Sequence, residues 1–536
     1  MDSIPLTQSY YPAVPGAGAE ALTIGGLLRD RARRWPEAQA LLEIELDGGP
    51  GRKWTYAELR ADAERLGRAL ATRHRPGARI AVYANNVPEW VLFEFGAALA
   101  GLIVVTVNPA SQKRELKYVL EQSRSEAIYC VAEFRGNPLR RIAEEAGAEV
   151  PAIRHVIDFA DHAALFAGED RGALPEVAPD DFAQIQYTSG TTGFPKGALL
   201  RHHGLVRNAT DYMALLGLRA GDSNIHLMPL FHTAGCGLNC LGTLALGGRL
   251  LLPPLFDPQS VAKAIERERA RVMLGVPTMI HGLVAEASST GRDLSCLERI
   301  SSGGSMVSPD LIARTAATFG ATIQIIYGQT ESSPAICFGR DDDAPADRTA
   351  TVGRPMPGVE VAILDPQTGA VMPVGEQGEI CARGYNLMAG YNDNPEATAA
   401  AIDADGWLHT GDLGRMDSRG FVSITGRVKE MIIRGGENLF PAEIENAILE
   451  HADVGEAAVV GVPCPEFGEQ VACFMRPANG RRPDTAELRA FIRERLSPQK
   501  TPKYWLWIEA WPLTGSGKIQ KFKLAEQFVA GEHSPV

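Results

Sequence analysis

Over roughly the first 330 residues, apolar and polar positions alternate in two rhythms. From Thr55, TYAELRADAERLGRALATRH carries apolar residues at helical spacing behind a Thr suited to cap a helix N-terminus. RIAVYANN, from Arg79, is a short apolar run closed by polar turn residues, which predicts a strand. The rhythm repeats as a helix over 90–100, a strand over 102–107, a helix near 112–122 and a strand over 126–131. It returns at 205–218, 247–252, 258–268, 271–276 and 323–327. Helices alternating with continuously apolar strands predict an α/β fold of mostly parallel sheets buried under helices. The first 35 residues or so read as an arm leading into this pattern.

The run Trp90–Val107 is 18 residues long, enough to approach a membrane span. It carries Glu94 and two glycines and ends at Asn108-Pro109, so it reads as a buried helix feeding a buried strand. After about residue 350, TVGRPMPGVEVAILD, GEQGEICARG and GFVSITGRV are short β-rich pieces between Gly and Pro turns. They predict a small antiparallel barrel or sandwich. From Glu430 a compact mixed unit follows, with helices in AEIENAILEH and DTAELRAFIRERL and strands in AAVVGVP and QVACFMRP. The expected domains are 1–426 and a small α+β domain over 427–536.

Length and composition narrow the classes. At about 150 residues per domain, 536 residues leave room for several units. The 45% apolar and 22% charged fractions exclude disorder and fibrous repeats as the main state. A net charge of −12 argues against wrapping nucleic acid or an anionic membrane. The eight cysteines form no C-x-x-C pair; Cys236 and Cys240, four apart, are expected as buried thiols on one helix face. This usage fits a reducing, cytoplasmic compartment. The first 20 residues lack the basic and apolar regions of a signal peptide.

Four patterns carry candidate chemistry. Tyr187-Thr188-Ser189-Gly190-Thr191-Thr192-Gly193-Phe194-Pro195-Lys196-Gly197 follows the expected strand DFAQIQYT. Its glycines permit a tight backbone cradle, its hydroxyls and N–H groups can donate to an anion, and Lys196 adds a positive charge. It is not a Walker A loop, whose spacing and terminal Ser/Thr it lacks. Tyr327-Gly328-Gln329-Thr330-Glu331 follows another apolar strand. An aromatic face, a glycine for close approach and one carboxylate suit a purine and a phosphate-bound Mg²⁺, while the pentapeptide alone also fits an ordinary turn. His409-Thr410-Gly411-Asp412 and Gly426-Arg427-Val428-Lys429-Glu430 offer a carboxylate and a guanidinium that could hold a ribose; each alone also fits an exposed turn or a surface charge cluster. Thr514-Gly515-Ser516-Gly517-Lys518-Ile519 places a lysine between glycines near the C-terminus.

Together with PLFH at Pro229–His232 and GSGKIQK, these patterns resemble the adenylate-forming superfamily of acyl-CoA synthetases, adenylation domains and firefly luciferase, in order and approximate spacing over nearly the whole chain. The resemblance is greatest to medium-chain or fatty acyl-CoA synthetases. It implies a large N-terminal domain of two helix-covered sheets plus a small β-barrel, and a small mobile C-terminal domain hinged near Lys429. It implies ATP, Mg²⁺ and CoA as cofactors. Thr188, Ser189, Gly190, Thr191, Thr192 and Lys196 are implied at the ATP phosphates, and Gly303, Gly304 and Ser305 at the adenine side. Tyr327 would pack on the base, with Gly328 and Gln329 beside it, Thr330 at the α-phosphate and Glu331 at the metal. Asp412 and Arg427 would hold the ribose, Lys518 would be the catalytic lysine of the first half-reaction, and His232 the gate beside the acyl carboxylate. Arg434, Gly435 and Gly436 resemble the stretch that meets CoA; Met306 departs from the Pro or Ala of many relatives.

The implied reaction joins an organic acid to AMP with release of pyrophosphate, then transfers the acyl group to a thiol. The acyl pocket is expected from His232, Gly235, Cys236, Gly237, Val276, Thr278 and Gly328. Between Ile225 and Gly248 there is no Asp or Glu to pair a substrate ammonium, which favours a hydrophobic carboxylic acid over an amino acid. The expected partners are that small acid, ATP and CoA, with no nucleic acid and no membrane span. The alternatives are an acyl carrier protein as acceptor, or a chain performing one half-reaction in a split pair; a homodimer stays open.

Overall fold

A computed structural model of the chain describes residues 5–15, 21–188, 195–304, 307–434, 437–513 and 519–533. The chain divides into two compact units: Pro12–Val361 with Ala382–Leu408, and Met1–Tyr11 with Ala362–Cys381 and His409–Val536.

Among the described residues, the first of these units holds two sheets. The seven-stranded one runs in the order Gly390–Tyr391, Lys196–Arg201, Phe182–Thr188, Ile103–Val107, Arg79–Tyr83, Ala127–Cys130, His155–Asp158. Its last five strands are parallel, and the first two join antiparallel. The nine-stranded sheet is parallel across Thr322–Gly328, Arg299–Gly303, Val272–Leu274, Ser223–His226, Arg249–Leu252 and Gln39–Ile44, with antiparallel strands at both edges.

Local chemistry explains several elements. Thr55 caps the helix Tyr56–Ala71 in a reciprocal capping box with Glu58, satisfying N–H groups that the first turn leaves orphaned. The helix Pro88–Leu99 is buried along its whole length, with Phe93 packed on Tyr129 and Phe159 at ring distances of 4.5 and 5.6 Å. It feeds the strand Ile103–Val107 as the pattern predicts; no helix among the described residues is long and apolar enough to cross a membrane.

The arm contains more structure than expected. Thr23 accepts from Gly26 N and caps a helix over Ile24–Arg34 within it; beyond the arm, the strands Gln39–Ile44 and Pro50–Thr55 form a hairpin. Two glycines and five arginine or aspartate residues in IGGLLRDRARR mask its short apolar stripe, yet Ile24, Leu27 and Leu28 are core residues. Cys236 and Cys240 are buried thiols as expected, but they lie in a π-helical stretch, Ala234–Cys240, wider than the α-helix that their spacing suggested.

The other unit includes strands of a five-stranded sheet ordered Tyr10–Tyr11, Val359–Leu364, Gly378–Gly384, Leu408–Met416, Val422–Arg427. A second sheet pairs Val454–Cys464 with Gly468–Pro477 and continues to Ile432–Arg434, Glu437–Leu439 and Tyr504–Trp507. Leu408–Met416 is a strand where His409–Asp412 also fitted an exposed turn, and Asp412 within it is buried.

Candidate functional site

The glycine-rich segment interrupts an antiparallel pair. Phe182–Thr188 and Lys196–Arg201 run side by side with Thr188 opposite Lys196. Thr188 donates its hydroxyl to the Lys196 carbonyl at 3.4 Å, and Tyr118 donates to the Pro195 carbonyl at 2.9 Å. Ser189, Gly190, Thr191 and Thr192 lie outside the described residues, as do Ser305 and Met306.

Lys196 and Glu331 share a partner that the sequence did not single out. The Lys196 ammonium lies 5.1 Å from the centre of the Tyr391 ring, and the Tyr391 hydroxyl donates to Glu331 Oε1 at 2.7 Å. Burial, then the neighbouring Glu331 charge, push the Tyr391 phenol well above its ordinary pKa, so it stays a donor. Glu331 is itself buried, in a short 3-10 turn over Thr330–Ser332. Its carbonyl accepts from Met388 N at 2.8 Å, and Asn386 donates to the carbonyls of Ser332 and Ala335 at 3.0 Å each. The carboxylate is thus held from its backbone and from one oxygen.

Close backbone approaches fix the neighbouring strand ends. A Cβ on Gly328 would lie 1.8 Å from the Pro334 carbonyl oxygen, and one on Gly303 2.3 Å from that of Ile326. Both positions therefore admit no side chain without backbone movement. Tyr327 is buried, Gln329 half-buried and Gly304 exposed; Thr330 is buried beside Glu331.

His232 is half-buried and accepts from Ala234 N at its Nδ1, 3.2 Å away, at the start of the π-helical stretch. Asn86 pins the approach to it, accepting from Leu230 N at 2.8 Å and donating to the Met228 carbonyl at 3.2 Å. Gly235 is required, since its Cβ would lie 2.0 Å from the Pro229 carbonyl oxygen, and Gly237 packs against Leu205. Cys236 faces a buried amide network: Gln186 donates to its sulfur at 3.2 Å and to Gln184 at 2.8 Å, and Gln184 donates to Glu94 at 2.8 Å. Val276 is half-buried and Thr278 exposed at the start of the helix Pro277–Thr290.

In the other unit, Asp412 and Arg427 face each other across paired strands, with Arg427 Nε 2.8 Å from Asp412 Oδ1. The Thr410 hydroxyl accepts from Asp412 N at 3.1 Å and donates to the Ile380 carbonyl at 2.6 Å. Arg434 stacks on Phe467 at 4.6 Å and donates to Gln470 at 2.9 Å. Lys429 belongs to the 3-10 turn Val428–Glu430; its side chain, Gly435, Gly436 and Lys518 lie outside the description. Lys521 bridges Glu430 and Glu445 at 2.8 Å each. Burial would lower its pKa, but the two carboxylates outweigh this and keep it charged.

The family description "AMP-binding enzyme" matches residues 28–392, and "AMP-binding enzyme C-terminal domain" matches 443–518. Feruloyl-CoA synthase of Amycolatopsis sp is 36% identical, covering 93% of this chain and 97% of its own. The mitochondrial medium-chain acyl-CoA ligase ACSF2 of Homo sapiens is 34% identical over 97% of this chain and 89% of its own. The solved ATP-bound MatB from Rhodopseudomonas palustris superposes with a TM-score of 0.85 at 29% identity, covering 95% of this chain and 99% of its own.

Proposed function

Because the chain belongs to the AMP-binding enzyme family and is an ATP-dependent acyl-CoA ligase, we propose that it activates a hydrophobic carboxylic acid as its acyl-adenylate and passes the acyl group to CoA. The observation that carries the site assignment is the chain from the Lys196 ammonium through Tyr391 to the buried Glu331 carboxylate, at the ends of two strands. Strand ends of this kind are where α/β folds present ligands.

A carboxylate resists attack because oxide would have to leave. In the first step the substrate carboxylate attacks the α-phosphorus of ATP, and pyrophosphate departs. Thr188 and Lys196 hold the phosphates with Ser189, Gly190, Thr191 and Thr192, while Thr330 contacts the α-phosphate. Tyr327 packs on the adenine beside Gly303, Gly304 and Ser305; Asp412 and Arg427 take the ribose. Glu331 fits Mg²⁺, which takes oxygen ligands and commonly uses one or two carboxylates plus substrate phosphates. Tyr391 commits Glu331 Oε1. When bound, the metal supplies charge neutralisation between two anions that must meet.

His232 stands at the acyl carboxylate, beside Gly235, Cys236 and Gly237, with Val276, Thr278 and Gly328 completing the pocket. The lack of Asp and Glu between Ile225 and Gly248, and relatives named for feruloyl and medium-chain acyl groups, support a hydrophobic acid. For the second step the domain from residue 427 turns about Lys429, withdraws Lys518 and brings Arg434, Gly435 and Gly436 to CoA. The thiol then attacks the acyl carbonyl and AMP leaves. The low cysteine usage, with no C-x-x-C pair, supports a reducing, cytoplasmic setting.

The test is a panel of aliphatic and aromatic acids with ATP, Mg²⁺ and CoA, read by mass spectrometry, with Lys518→Ala assayed by half-reaction. The expected result is an acyl-CoA product from a hydrophobic acid. Lys518→Ala should lose acid-dependent pyrophosphate exchange yet still convert supplied acyl-adenylate to thioester. Wild-type exchange in Lys518→Ala contradicts the assignment of that lysine.

A further inference from the structure

Three side chains beside the Thr410–Asp412 segment form a donor set that the ligase reaction does not use. Glu379 and Cys381 are two apart on the strand Gly378–Gly384, so they point to the same face. His409 lies on the neighbouring strand, Leu408–Met416, and the Thr410 hydroxyl bonded to the Ile380 carbonyl fixes the two strands at this point. His409 Nδ1 is 2.8 Å from Glu379 Oε2 and 3.5 Å from Cys381 Sγ. One ligand atom from each of the three lies within 4.8 Å of the others. Glu379 and Cys381 are buried, and half-buried His409 gives the group its access to solvent.

We propose that Glu379, Cys381 and His409 bind a borderline divalent cation, with Zn²⁺ the best match, and that filling this site slows adenylation. A thiolate, an imidazole and a carboxylate are a set that tetrahedral zinc accepts, with water in the fourth position. Zinc bonds of about 2.0 Å to N or O and 2.3 Å to S place neighbouring ligands roughly 3.3–3.6 Å apart. The sulfur-to-imidazole distance already matches. The imidazole-to-carboxylate distance needs to open by about half an ångström, as it does when the metal displaces the shared proton, and the thiol's, to solvent. Mg²⁺ prefers six oxygens and does not compete for a thiolate, so the nucleotide's own metal leaves the site alone.

The route to inhibition rests on Asp412 as the ribose ligand. Glu379 Oε1 accepts from Gly411 N at 2.9 Å, and Gly411 adopts a left-handed conformation, φ +74°. A cation that inserts between His409 Nδ1 and Glu379 Oε2 moves the two apart and, through Glu379 Oε1, shifts the turn that presents Asp412. The comparable group His451, Asp453 and Glu487 is a poorer match, because Arg481 pairs with both Asp453 and Glu487.

The test is a titration of metal-stripped full-length protein with Co²⁺, then Zn²⁺, in excess Mg²⁺. The expected result is one equivalent of Co²⁺ with thiolate-to-cobalt charge-transfer absorption and tetrahedral ligand-field bands, displaced by Zn²⁺. Cys381→Ala should retain the Mg²⁺-supported rate, lose the charge-transfer band and bind zinc at least about 10- to 100-fold more weakly. Cys381→Ser, closer in size, should behave alike. Wild-type protein without the band, or variants that keep it, overturn the site. Stoichiometric zinc binding with undiminished pyrophosphate exchange overturns the inhibitory consequence. The cobalt spectrum does not depend on ligase activity, so failure of the site and failure of the functional reading are told apart.

Discussion

Glu331 and Glu94 are both buried carboxyl groups of the same unit, and their surroundings give them opposite characters. Glu331 meets a phenol hydroxyl whose ring also carries the Lys196 ammonium, next to the glycine-rich segment. Glu94 lies inside the helix Pro88–Leu99, where Gln184 donates to one of its oxygens. Gln184 leads to Gln186, which takes the Thr106 hydroxyl at 3.0 Å. Burial pushes Glu94 well above the ordinary carboxyl range and so favours the neutral acid, against the smaller opposing effect of Gln184. The comparison shows that depth alone does not make a carboxyl chemical. Glu331 lies against a phenol that also carries a cation, at strand ends beside the glycine-rich segment, whereas an amide network turns Glu94 into a packing element.

The largest expected effect separates the two directly. Glu331→Gln removes the charge from the site and should slow acid-dependent pyrophosphate exchange about 10²- to 10³-fold, the scale of losing one electrostatic stabiliser. Glu94→Gln should leave that rate near wild type. Equal losses in the two variants would break the distinction.

Glu94→Gln sharpens it through stability. An unfolded Glu ionises near pH 4.3, while folded Glu94 holds its proton, so wild-type stability falls as pH rises above that value, by up to about 1.4 kcal/mol per pH unit, until the folded pKa is reached. The amide has no such slope. Urea unfolding should show the variant's advantage growing as pH rises above about 4.3; a constant difference would contradict the raised pKa of Glu94.

Two buried histidines of the same unit give the opposite slope. Burial lowers His202 to about 4 and His226 to about 3. Their contribution is full above about pH 6.5 and is lost as pH falls toward the folded values, by up to about 1.4 kcal/mol per pH unit for each. His226→Asn should remove one share of this acid sensitivity between pH 6.5 and 5; an unchanged slope would contradict the lowered pKa of His226. The smallest effect is expected for Tyr391→Phe, which loses one hydrogen bond to a carboxylate, worth about 1.5–3 kcal/mol at most and less if water replaces it. Steady-state kinetics should place its loss of kcat well below that of Glu331→Gln.

The sequence was most legible where local chemistry and function coincide. The Thr55 cap, the strand leading into the glycine-rich segment and the strand before Tyr327 all appear where the pattern put them. Tyr391 was not legible: it is 60 residues from Glu331, in YNDNP, whose composition reads only as a turn. Asp412 was singled out in the sequence but its strand was not legible, because Thr410, Gly411 and Asp412 break the apolar alternation that marks one. Glu94 shows a subtler limit. In the sequence it was the charge that argued against a membrane span, yet the fold buries it as deeply as the leucines around it. Hydrophobic patterning reads side chains one at a time, and the Gln184 and Gln186 that accommodate Glu94 arrive from a strand ninety residues away.

The central claim, that an organic acid is joined to AMP before it reaches a thiol, is tested most directly by isotope transfer. An acid that the enzyme converts is labelled with ¹⁸O in its carboxylate, and the nucleotide products are analysed by mass spectrometry after turnover with ATP and CoA. Attack of the carboxylate on the α-phosphorus predicts one labelled oxygen in AMP and none in pyrophosphate. Unlabelled AMP, or label in pyrophosphate or inorganic phosphate, would contradict it.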